Sequence, residues 1–105
     1  MAKLKAAFMF VAPDADPSDH RVTISTPAVV ELIVVGVSNY QQAIQVSKEL
    51  VDQGVQTIEL CAGFGQIGVA KVVQSVGDKA VVGVVRFDRH PGFEFKSGDE
   101  MFDKK

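Results

Sequence analysis

Val55-Gln56-Thr57-Ile58-Glu59-Leu60-Cys61-Ala62 runs directly into Gly63-Phe64-Gly65-Gln66-Ile67-Gly68, and this junction decides how the chain is read. The first eight residues are an apolar run of strand length. The glycines permit a tight turn, and from Gly65 to Val76 a helical pattern follows, closed by Gly77. A strand that feeds a helix through glycines opens a crossover connection, the unit from which parallel sheets are built.

The same alternation extends in both directions. Downstream, Ala80 to Phe87 reads as another strand. Upstream, Ser38 to Gln53 carries a helix signal: Ser38 and Gln41 stand at capping-box spacing, and Tyr40, Ala43, Ile44, Ser47, Leu50 and Val51 recur every three or four residues before Gly54. Val29 to Val37 and Leu4 to Ala12 are two further apolar strands, the latter ending at Pro13. Between them, Asp16 followed by Pro17 is an N-cap and first-turn pair, predicting a short helix through His20 to Ser25 that Pro27 ends.

Four strands, apolar along their length and separated by crossovers, predict a mostly parallel four-stranded sheet with helices on both faces. The expected fold is a small three-layer α/β sandwich, a truncated Rossmann-like or flavodoxin-like arrangement. Periodicity does not choose between a doubly wound order and a partial barrel, and the doubly wound order is favoured. Residues 1–105 make one domain, which at this length buries roughly 65% of the surface its unfolded chain exposes. From His90 to Lys105 the composition turns to Gly, Lys, Asp and Glu interleaved with Phe93, Phe95, Met101 and Phe102. That pattern predicts an ordered C-terminal arm packing its aromatics on this subunit or on a neighbour.

Composition narrows the function classes. Hydrophobic residues make up 47% of the chain, enough to leave apolar surface for a partner subunit, so a homo-oligomer is expected. Eleven Lys and Arg against thirteen Asp and Glu give a net charge of −2 with no basic stripe, which argues against nucleic acid. Cys61 is the one cysteine, so no intrachain disulfide can form, and a reducing compartment fits best. Met1 to Pro13 mimics a short signal peptide but reads better as the first strand. No segment approaches the roughly 20 apolar residues of a membrane-spanning helix, and the expectation is a soluble cytoplasmic protein.

Ligands in open parallel sheets bind beyond the carboxyl ends of the strands. At those ends the chain places Glu59, Cys61 and the glycine turn, then Arg86, Asp88, Arg89 and His90, and after the first strand Asp14, Asp16 and His20. Gly63, Gly65 and Gly68 can cradle an anion, because backbone N–H groups and the positive end of a helix dipole favour negative charge there. Asp88, twenty residues beyond Gly68, stands where dinucleotide folds keep a ribose-binding acid. The alternative is that these glycines simply allow a tight turn and close packing of helix on sheet.

Cys61 precedes a helix N-terminus, which favours a thiolate, and His90 can serve as its base if the two strand ends adjoin. The competing reading is a small buried side chain. Alternation puts Glu59 on one face of its strand and Arg86 on one face of the next. If the faces match, the two form either a register-fixing ion pair or an active-site carboxylate oriented by arginine. The histidines and the cysteine stand at no ligand spacing, so no metal is expected, and no cofactor is specified.

Several segments together are similar to one family. They are Phe8-Met9-Phe10-Val11-Ala12-Pro13, Ala15-Asp16-Pro17 with His20-Arg21, Glu31-Leu32 running into Val34-Val35-Gly36-Val37, Ile58-Glu59-Leu60-Cys61-Ala62-Gly63-Phe64-Gly65, and Gly83-Val84-Val85-Arg86-Phe87-Asp88 ahead of His90-Pro91-Gly92. The chain resembles a family of small microbial proteins labelled only as a domain of unknown function. The resemblance extends nearly to Glu100 and implies a single-domain α/β protein from a prokaryote, with no activity attached.

Three functions are therefore expected in order. The first is binding of an anionic small molecule by the Gly63 to Gly68 turn and Arg86, with Glu59, Asp88 and His90 completing the pocket. The second is a small lyase, isomerase or hydrolase using Cys61 or Glu59 with His90. The third is a structural or protein-interaction subunit.

Overall fold

β1 (Leu4–Val11) sits at the middle of the sheet, and its sequence suits the place: from Ala6 onward both of its sides are apolar. A computed structural model describes residues 3–103. β1 pairs in parallel with β3 (Val30–Val37) on one side and with β4 (Thr57–Leu60) on the other. β5 (Val81–Val84) extends β4 in parallel, and β2 (Arg21–Ser25) lies antiparallel along β3. The order is β2-β3-β1-β4-β5.

The sheet has five strands, not the expected four, and the additional one replaces the expected helix over His20 to Ser25. The Asp16-Pro17 start signal is real but brief. Asp16 Oδ1 accepts from the Ser18 and Asp19 N–H groups at 2.8 and 3.2 Å. The chain then straightens, because Val22, Thr23 and Ile24 are β-branched and pair readily with β3.

α1 (Tyr40–Asp52) links β3 to β4, and α2 (Gln66–Val76) links β4 to β5. Capping of α1 falls one residue later than the Ser38 and Gln41 spacing predicts. Asn39 Oδ1 accepts from Gln42 N–H, and Gln42 Oε1 accepts from Ser38 N–H, each at 2.8 Å. Gly54, at φ +94°, stops α1 in a conformation side chains disfavour. A short 3-10 turn (Pro91–Phe93) and α3 (Gly98–Phe102) form the C-terminal arm.

The three-layer expectation gives way to two layers. α1 and α2 pack against each other, and the core they cover contains Ala7, Met9 and Val11 of β1, Ile33, Val35 and Val37 of β3, and Ile58 and Leu60 of β4. In register, Met9 lies between Val35 and Leu60, and Ala7 between Ile33 and Ile58. All of these point to one face. Among the described residues no helix packs on the other face, because the β1-to-β3 connection, where a covering helix was expected, runs out as the edge strand β2.

Candidate functional site

The first turn of α2 begins at Gly65, which has no side chain to cap it, so its exposed N–H groups need acceptors from elsewhere. Asp99 of α3 supplies them. Its carboxylate accepts from Ile67 N–H at 3.1 and 3.0 Å, from Gly68 N–H at 3.2 Å and from the Tyr40 hydroxyl at 3.0 Å. The Tyr40 oxygen in turn accepts from Gly65 N–H at 3.0 Å. The cradle expected for an external anion thus holds a carboxylate of the chain itself, at the positive end of the helix dipole.

The glycines follow from this docking. A Cβ at Gly98 would collide with the Gly63 carbonyl, one at Gly65 with Asp99, and one at Gly68 with the Tyr40 ring. Their smallness lets the arm seat against the turn and α2 approach α1.

Aromatic packing holds the arm in place. Phe102 is buried, Tyr40 stacks on Phe64 at 5.6 Å, and Phe93 meets Phe102 edge-on at 5.5 Å. Lys71 and Asp103 add an ion pair at 3.2 Å. Burial pushes the Tyr40 hydroxyl well above the usual phenol range, and the neighbouring Asp99 adds to the shift while the Gly65 N–H opposes it.

Arg86 lies just beyond β5, at the same rim. Its Nη2 pairs with Asp88 at 2.9 Å, and with the Gln66 amide turned to satisfy both groups, the Gln66 oxygen accepts from both terminal nitrogens at 3.2 Å. The Arg86 side chain is 31% exposed and that of Asp88 82% exposed. Arg86 Nε is buried and has no partner among the described residues.

The condition for Glu59 and Arg86 to meet, matching strand faces, is not fulfilled. Glu59 stands opposite Gly83 in the β4–β5 register, and Arg86 is an odd number of residues further along, which alternation turns to the helix side. Glu59 instead lies exposed on the open face of the sheet, beside Phe8. Cys61 is half-buried past the end of β4, where its sulfur accepts from Gly63 N–H at 3.2 Å.

His90 caps the 3-10 turn. Its Nδ1 accepts from Gly92 N–H at 3.0 Å, and its ring stacks on Phe93 with centroids 4.2 Å apart. Among the described residues no hydrogen bond joins Glu59, Cys61 and His90, and none of their groups clusters to hold a metal. His20 accepts from Asp16 N–H at 2.8 Å and belongs to the β1–β2 loop. No helix among the described residues is long and apolar enough to cross a membrane.

Asp99, Tyr40 and Gln66 are the rim residues that sequence reasoning missed. The Ser97 and Glu100 capping box, present in the structure, could have revealed α3. Nothing local could have revealed where Asp99 points, since its partners lie 31, 32 and 59 residues away.

A family model described as a family of unknown function (DUF6506) matches residues 4–100. The chain belongs to that family, in agreement with the resemblance read from its motifs. No curated protein matches the chain, and no solved structure does.

Proposed function

We propose that the chain binds a small anionic molecule at the carboxyl rim of β5, with Arg86 as the anchor and Gln66 beside it. The observation that carries this reading is the state of the Arg86 guanidinium. It is largely withdrawn from water, one of its N–H groups is buried without a partner, and its carboxylate neighbour Asp88 is almost entirely exposed. Such an ion pair contributes at most about 1 kcal/mol, so a phosphate or carboxylate ligand can displace Asp88 at little cost and offer guanidinium the planar acceptors it prefers.

The location supports the same reading. Arg86 stands beyond the carboxyl end of a parallel strand and next to the first turn of α2, the region where open α/β sheets take their ligands. The order around β1, with the chain winding first to β2 and β3 on one side and then crossing over to β4 and β5 on the other, fits a flavodoxin-like winding that lacks one helical layer. In this reading the glycines serve the arm, and Asp88 competes with the ligand instead of binding it. Glu59, first expected to complete the pocket, faces the open side of the sheet, and the His90 ring is engaged by Gly92 and Phe93.

Inorganic phosphate, sulfate and acetate titrated at millimolar concentration against the full chain provide the test, followed through the amide signals of Gln66 and Arg86. Asp88→Asn should tighten phosphate binding by up to about fivefold, and Arg86→Gln should abolish it. Equal binding by wild type and Arg86→Gln, or no response from any variant, overturns the proposal.

A further inference from the structure

The open face of the sheet is built as an interior surface. Val22 and Ile24 of β2, Leu32 and Val34 of β3, and Phe8 and Phe10 of β1 all point to it, as the strand register requires. Among the described strand residues on this face, Glu59 is the single charged one. The tip of the Phe10 ring lies over Gly36, where a Cβ would strike it.

β2 identifies this face as one that is covered. All five of its residues are exposed in the isolated protomer, so neither side is buried by the rest of the chain. Even so, its alternation is strict: Arg21, Thr23 and Ser25 point to the helix side, while Val22 and Ile24, each 55% exposed, point to the open side. An edge strand bathed in water on both sides has no reason to sort its residues this way. Sorting with the apolar set outward from the helices means that the outward side is the dry one.

We propose that the occupant is a second copy of this chain, stacked face to face through the open side of the sheet about a two-fold axis. Size and charge both favour a copy. Five strands about 4.8 Å apart, averaging about six residues at about 3.3 Å each, give a flat footprint on the order of 500 Å². Corrugated by side chains, that footprint supplies most of the about 800 Å² that each partner contributes to a standard interface.

Twisted sheets stack about 10 Å apart with their strands nearly aligned, and a nearly uncharged face meets its own copy without repulsion. A two-layer protomer thereby becomes a four-layer dimer whose sheets share an inner core. The inference is independent of the Arg86 ligand site, which lies at the strand ends.

Sedimentation equilibrium of the full chain tests it directly. The expected species is a dimer of the 11.3 kDa chain, weakened about 100-fold by Ile24→Lys, which places an unpaired charge in the interface, and unaffected by Thr23→Lys on the opposite side of the same strand. A measurement without any variant guards against misfolding. The Val22 and Ile24 methyl signals should be shielded from a water-soluble paramagnetic agent at high protein concentration and become accessible on dilution. A wild-type monomer, including one whose face instead takes up lipid vesicles or a peptide, overturns the proposal. So does a dimer that Thr23→Lys dissociates as readily as Ile24→Lys, or one whose Val22 and Ile24 methyls stay accessible.

Discussion

The Asp99 carboxylate and the Tyr40 hydroxyl, 59 residues apart in the chain, are hydrogen-bonded at 3.0 Å over the first turn of α2. Together they satisfy the Gly65, Ile67 and Gly68 amides. The pair joins three helices: α1 through Tyr40, α2 through its amides and α3 through Asp99.

Removing the carboxylate should therefore loosen the whole arm. Asp99→Ala is expected to cost about 2–3 kcal/mol, since it deletes charge-assisted bonds and leaves α2 without a cap. In a chain of this size that lowers the melting temperature by on the order of 10 °C. Calorimetry gives the number, and hydrogen exchange at Ile67 and Gly68 should accelerate in the same variant. Unchanged exchange there would mean that another group caps the helix.

Tyr40 is the one tyrosine in the sequence, so phenolate absorbance reports it alone. The folded protein holds the hydroxyl protonated well past its ordinary range, whereas the unfolded chain ionises near pH 10. Below that point both states carry the proton and the group contributes no pH dependence. Above it the unfolded state loses its proton first, so this group makes stability fall as pH rises, by up to about 1.4 kcal/mol per pH unit. Phenolate absorbance should appear together with alkaline unfolding and not before it. Tyr40→Phe, destabilised at neutral pH because Gly65 N–H loses its acceptor, should be free of that slope.

Ser47 is fully buried on α1, and its hydroxyl has no partner among the described residues. Ser47→Ala removes an unsatisfied polar atom and improves helix propensity, and it should stabilise the protein by about 1 kcal/mol. Denaturant unfolding should show a higher midpoint with an unchanged slope. A loss of stability would point to a bonded hydroxyl.

Much of the backbone was legible because local pattern and tertiary placement agree. β1, β3, α1, β4, α2 and β5 all fall inside the segments read from periodicity, trimmed by a few residues at their ends. The helix expected over His20 to Ser25 failed because Asp16 and Pro17 specify only the start of a turn, while the β-branched Val22, Thr23 and Ile24 set the extended conformation beyond it. The third layer failed for a subtler reason. Apolar residues on both sides of a strand read as calling for a helix on each side, but they do not specify a helix. Val34 and Phe8 carry the same signal whether a helix or another sheet lies over them.

The site divided along similar lines. Strand-end logic brought Arg86, Asp88 and the glycine turn to one rim, since that follows from topology. It missed Asp99, whose role depends on how the arm folds back. It left the meeting of Glu59 and Arg86 conditional on matching faces, a parity that only the register supplies.

β1 draws on partners made much later in the chain: Ala6 pairs with Leu32 on one side and with Thr57 on the other. During synthesis from the N-terminus, one edge of this apolar strand waits for β3 and the other for β4. In that interval Ala6 to Val11 is a β-prone, uncharged segment open to intermolecular pairing. The burden of avoiding aggregation in the nascent chain therefore falls on its first half, and ends when Thr57 to Leu60 emerges and closes the second edge.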